Sequence, residues 1–188
     1  MNVMNVDDPR VTAIGLLHEV HAGLMDRFAP ALNAAGLSDV DFEALIRLAR
    51  SPSRRLRMSD LAAQTGLSTS GVTRVVDRLE REGLVRREAC SADRRASYAA
   101  LTVEGHDRLE LVLPKHVQDI EDLFTGQLEK DELEAFLASL RKIRQVVRPC
   151  ATAGAAGAAG AAGAAGAAGA AGAGAGAGAA DPSLPARS

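Results

Sequence analysis

Apolar positions through the middle of the chain change period once, and the change predicts its elements. Val72, Val75, Val76 and Leu79 recur at the i, i+3, i+4, i+7 spacing of one buried helix face. Thr69, Ser70, Thr73, Arg74, Asp77, Arg78 and Arg81 take the opposite side. Upstream, Ser59 stands where a hydroxyl caps a helix opening at Asp60, and Gly66 ends that helix in a left-handed conformation that side chains resist. Leu67 turns toward the core and Ser68 caps the next helix. Two short helices across a turn of about three to four residues make a helix-turn-helix. Beyond Gly83 the period falls to two, and residues 84–88 and 97–102 read as short strands flanking 89–96.

The flanks return to helical spacing. Residues from 11 to about 35 align Ile14, Leu17, Val20, Leu24, Phe28 and Leu32, with Pro30 expected to kink the helix or begin a new turn. Ser38 and Asp41 form a variant capping box ahead of Phe42, Leu45, Ile46 and Leu48. A helix from 103 to about 124 offers Leu109, Val112, Leu113, Ile120, Leu123 and Phe124, interrupted by Pro114. A last one, 131–147, carries Leu133, Phe136, Leu137, Leu140 and Ile143. A winged module of about 70 residues rarely needs three further amphipathic helices for its own stability. Two chains burying them together would present paired recognition helices to half-sites about 10 base pairs apart. The alternative is one larger monomeric core. The expected fold class is mainly α with a small β-hairpin wing: a winged helix-turn-helix with N- and C-terminal dimerisation helices.

Charge sharpens this picture. The 188 residues carry a net −2, which by itself argues against a nucleic-acid partner, yet residues 51–100 hold an excess of four positive charges. A basic module on an acidic frame suits duplex DNA. Ser68, Thr69, Ser70, Thr73 and Arg74 sit where a recognition helix touches base edges in the major groove, and Arg78 is expected at phosphate. Arg94 and Arg95 in the wing suit a narrow minor groove. Asp93 either orients Arg95 through a forked pair or makes an ordinary surface pair with it. Gly71 lowers helix propensity, so the first turn of the recognition helix is expected to order fully on DNA.

The series Leu61-Ala62, Gly66-Leu67-Ser68, Val72-Thr73-Arg74, Asp77-Arg78-Leu79-Glu80, Gly83-Leu84-Val85, Arg87, Asp93-Arg94-Arg95, Leu101-Thr102 and Gly105 resembles the MarR family of winged-helix transcriptional regulators. The resemblance extends over roughly 10–148. It implies a homodimeric repressor that binds palindromic operators in double-stranded DNA and often releases them to a small-molecule effector or an oxidant. The domain organisation that follows is a flexible start at 1–9 and a winged-helix domain at 10–148. Within that domain lie dimerisation helices near 11–35 and 103–148 and a DNA-reading module near 55–102. The tail covers 149–188.

Other chemistry is sparse. No phosphate-cradling glycine loop, nucleophile elbow, zinc-protease pair or Cys-X-X-Cys occurs, so neither an enzyme nor a cofactor is expected. His18 and His21 lie one helical turn apart without a third ligand at a recognised spacing, so solvent-facing or interface histidines, His106 and His116 among them, are expected rather than a metal site. Cys90, near Arg86, Arg87, Arg94 and Arg95, fits either an oxidant-sensitive thiol or an ordinary surface residue, and Cys150 lies beyond the last helix. No secretory signal or membrane-length apolar run is visible, and two cysteines make no disulfide framework, so a cytoplasmic protein without a membrane partner is expected. In the tail, glycine recurs every third residue from Gly154 to Gly172 and then alternates with alanine to Gly178. Collagen would need prolines between the glycines, a helix loses stability at each one, and seven alternating residues are too few for a silk-like strand. A flexible linker fits best. A winged helix used for protein docking or RNA binding remains the other function class. A docking version should expose apolar residues at Thr69, Ser70, Thr73 and Arg74.

Overall fold

The computed structural model describes residues 7–89 and 97–149. The chain opens with α1 (Pro9–Ala34), capped by Asp8, whose carboxylate accepts from the Arg10 amide at 2.8 Å. Pro9 lacks only an N–H that would have no helical partner there. The helix runs unbroken through Pro30, so the expected restart does not occur; buried Phe28 and Leu32 on either side anchor the turn that lacks one bond.

The helix α2 (Asp39–Ala49) begins with the anticipated capping box. Asp41 accepts from the Ser38 amide at 3.1 Å, and Ser38 Oγ accepts from the Asp41 amide at 3.3 Å. Next come β1 (Arg55–Arg57), α3 (Met58–Thr65), α4 (Thr69–Arg81), β2 (Val85–Ala89) and β3 (Ser97–Leu101). The two expected strands form within one residue of their anticipated ends, but the sheet has three members, antiparallel in the order β1-β3-β2. β1 was not anticipated because three residues are too few for a periodic signal. Its backbone is held from afar, with Arg55 opposite Ala100 and Arg57 opposite Tyr98.

The core lies where α2, α3, α4 and the inner sheet face meet. Leu45, Leu48, Leu61, Val76, Leu79 and Leu84 are essentially inaccessible there. The long helix α5 (Val103–Leu123) passes unbroken through Pro114 and seats Leu109 and Val112 on this core. Its first turn meets the segment after α4 so closely that a Cβ on Gly105 would lie 2.1 Å from the Leu84 carbonyl oxygen. The final helix, α6 (Lys130–Val147), has no buried residue. An open apolar groove of about 510 Å³ runs between α1, α6 and the end of α5, lined by Leu16, Leu17, Val20, Phe124, Phe136 and Leu140 among others.

Candidate nucleic-acid interface

The turn between α3 and α4 is built locally. Gly66 takes φ +76°, and its amide donates to the Ala62 carbonyl at 2.9 Å, closing α3. Ser68 then caps α4, accepting from the Gly71 amide at 3.1 Å, and α4 is helical from Thr69 onward. Gly71 does not interrupt the first turn of α4. A side chain at 71 would crowd Ser68 Oγ at 3.2 Å, so glycine admits the cap. The other cap differs from expectation. α3 begins one residue before Ser59, with Arg57 at the capping position, and the Ser59 hydroxyl donates to Asp60 at 3.3 Å.

The first half of α4 is an open polar surface. Ser68, Thr69, Ser70 and Arg74 are exposed and Thr73 is half-buried, with no acid in the first turn to oppose a phosphate or a base edge. The Thr73 hydroxyl donates to the Thr69 carbonyl at 2.8 Å, which leaves its lone pairs free to accept. The Ser68 and Ser70 hydroxyls lie 3.1 Å apart. Arg74 has no partner among the described residues.

Arg78 stands elsewhere. Its Nε lies 3.0 Å and its Nη2 2.5 Å from Oδ1 of Asp41, whose side chain is only 5% exposed. The hydrogen bonds to Asp41 raise the guanidinium pKa further above its already high ordinary value. Nε and Nη2 of Arg78 are thus engaged by Asp41 and tie α4 to α2, while the side chain remains 37% exposed. A second brace joins α4 to β2, where Arg87 Nη1 lies 2.5 Å from Asp77 and 3.0 Å from Glu80. The second half of α4 is thus tied to α2 and to β2, while its first half stays open. Asp93, Arg94, Arg95 and Cys90 lie outside the described residues, as do Cys150 and the repetitive tail.

The sheet carries cations the sequence reading did not single out. Arg54, Arg55 and Arg57 are exposed around β1, and Arg86 on β2 shares Glu88 with Arg55 at 2.7 and 3.1 Å. These two arginines, Arg86 foremost, hold the Glu88 carboxyl below the usual range. The alternation Arg55-Leu56-Arg57 was the available signal.

Residues of α1, α2, α5 and the end of α3 line a pocket of about 380 Å³. His116 enters it between Phe28 and Phe42, edge-to-face with ring centroids 4.7 and 4.6 Å away. His116 is thus half-buried against aromatic rings, where a solvent-facing or interface residue was expected. Burial lowers its pKa below 6.5, which favours the neutral ring, and its Nδ1 has no hydrogen-bond partner. Among the described residues, no helix is long and apolar enough to cross a membrane.

Comparison with known proteins agrees with this geometry. A family model described as MarR family matches residues 35–96. The transcriptional repressor MprA of Escherichia coli strain K12 is 31% identical over 127 residues, which cover 66% of this chain and 72% of that protein. The crystal structure of AbsC, a MarR family regulator from Streptomyces coelicolor, is similar with a TM-score of 0.72 and 33% identity, over 78% of this chain and 99% of that one. Sco3205 of the same organism, solved in complex with DNA, is similar with a TM-score of 0.70 and 30% identity, over 79% and 92% of the two chains.

Proposed function

This chain belongs to the MarR family of winged-helix transcriptional regulators, and we propose that it acts in the cytoplasm as a dimeric repressor on a palindromic operator. The observation that carries this reading is the polar front of α4, with Thr69, Ser70 and Arg74 exposed on a helix whose second half is tied to α2 and β2. In this reading Ser68, Thr69, Ser70, Thr73 and Arg74 meet base edges and nearby phosphates in the major groove. Arg94 and Arg95 enter the flanking minor groove, with Asp93 orienting the wing. The likeness to a protein solved on DNA supports the same docking. A protein-docking module would need apolar side chains at these α4 positions, and they are polar.

Exposed Ile14, Leu17 and Val20 on α1, together with the unburied apolar side of α6, supply the surface for a second copy. Two chains joined there carry two copies of α4, as a two-fold operator requires. The cavity around His116 is where a small-molecule effector binds in this reading, since its α2 wall is the helix that braces Arg78. The test is fluorescence anisotropy on the DNA immediately upstream of its own gene, at stated salt, with sedimentation to give the oligomeric state. Specific binding by a dimer is the expected result. A monomer indifferent to duplexes at low salt refutes the proposal.

A further inference from the structure

The outer side of the sheet carries a feature that the helix-turn-helix does not use. Arg55 and Arg57 project from one side of β1 and flank a single ring, their guanidinium carbons 5.2 and 5.6 Å from the centroid of Tyr98 on β3. Both distances lie within cation–π range. Arg57 Nε also donates to the Tyr98 hydroxyl at 3.1 Å. The ring thus restrains two long cationic side chains that would otherwise lose conformational freedom on meeting a ligand. Glu88 is shared between Arg55 and Arg86, so one carboxylate faces two guanidiniums and positive charge is left over. Arg54, fully on the surface, pairs with no acid among the described residues.

Placement points to the partner. Arg57 directly precedes α3, the first helix of the helix-turn-helix, and that helix crosses the sugar-phosphate backbone in this class of motif. Tyr98 is the second residue of β3, the second strand of the expected wing. The cations therefore line the path between the two parts of the module that approach DNA. A charged edge strand can serve only to prevent unwanted strand pairing. That role needs charge alone and gives no reason to stack two arginines on one ring.

We propose that Arg54, Arg55 and Arg57, held by Tyr98, form a second grip on the phosphates of the operator duplex, outside the footprint of α4 and without base preference. The inference rests on the DNA-binding reading above. It is distinct from that reading because phosphate contacts position the protein and base contacts specify the site.

The test uses the full-length chain and the salt dependence of its operator binding. Each phosphate contact contributes about 0.9 to the slope of log K against log salt. An Arg54→Gly, Arg55→Gln variant is therefore expected to lower the slope by about 1.8 per protomer and to weaken operator and random duplex by the same factor. Arg54 has φ +51°, where glycine is at ease, so the exchange at 54 does not threaten the fold, and equal urea midpoints check this for the variant. Arg55→Lys keeps the charge and is expected to keep the parent slope. An unchanged slope in the double variant, or a slope lost equally in Arg55→Lys, overturns the proposal. A parent protein that binds no duplex refutes the functional reading instead. A parent that binds while the double variant keeps its slope refutes only the grip.

Discussion

Removing Arg78 should unfold the protein more readily before it harms contact with DNA. In Arg78→Ala the Asp41 carboxylate, 5% exposed, loses its bonds to Nε and Nη2 and keeps only the amide and hydroxyl of Ser38, the latter at 2.6 Å. Breaking a buried ion pair from one side costs roughly 3–5 kcal/mol. Arg78 is itself 37% exposed and Asp41 retains two donors, so the expected loss is about 2–3 kcal/mol. Asp41→Ala also removes half of the capping box and should lose about 1 kcal/mol more. The double variant has no orphaned carboxylate and should be scarcely worse than Asp41→Ala, a coupling of about 2 kcal/mol. Urea denaturation followed by far-ultraviolet circular dichroism, at fixed protein concentration because the protein is proposed to dimerise, measures all three. The salt slope of operator binding should stay at the parent value. If Arg78→Ala keeps its stability within about 0.5 kcal/mol while the slope falls by about 0.9, Arg78 touches phosphate and the internal brace is wrong.

Gly105→Ala places a methyl group against the Leu84 carbonyl, an immobile backbone atom, and is expected to lower stability by about 2–3 kcal/mol in the same urea assay. His116 has a folded-state pKa depressed by burial, so the unfolded chain binds its proton more readily. Its contribution is complete above the unfolded value of 6.5 and is lost as pH falls through the lower folded value. A His116→Phe variant should lack that part of the acid-side decline in a pH series of urea midpoints, and an unaltered profile would refute the assignment. Arg95→Ala should weaken operator binding and flatten the preference for A·T-rich flanks in a competition assay; binding equal to the parent would remove Arg95 from the minor groove.

Local signals in the chain were sufficient for most of the architecture. The periodicity of Val72, Val75, Val76 and Leu79, the glycine at 66, the Ser68 cap and the Ser38–Asp41 box each act over a few residues, and each forms as anticipated. The polar front of α4 was legible for the same reason, since helical spacing alone decides which side chains share a face. The helices continue through Pro30 and Pro114 because a proline removes one bond, while buried Phe28, Leu32, Leu109 and Val112 hold the helices around the gap.

Only the folded chain decided where the charges go. Arg78 lies on the same polar face as Arg74 and is chemically identical to it, but a carboxylate 37 residues earlier in the chain engages it. Likewise β1 exists because residues 41 to 45 positions away supply its hydrogen-bonding partners, and Tyr98 gathers arginines that no local period would associate. Periodicity specifies a direction around a helix or across a strand. What waits in that direction, a buried acid or open solvent, depends on packing between distant segments, and the same guanidinium becomes a brace in one case and stays exposed in the other.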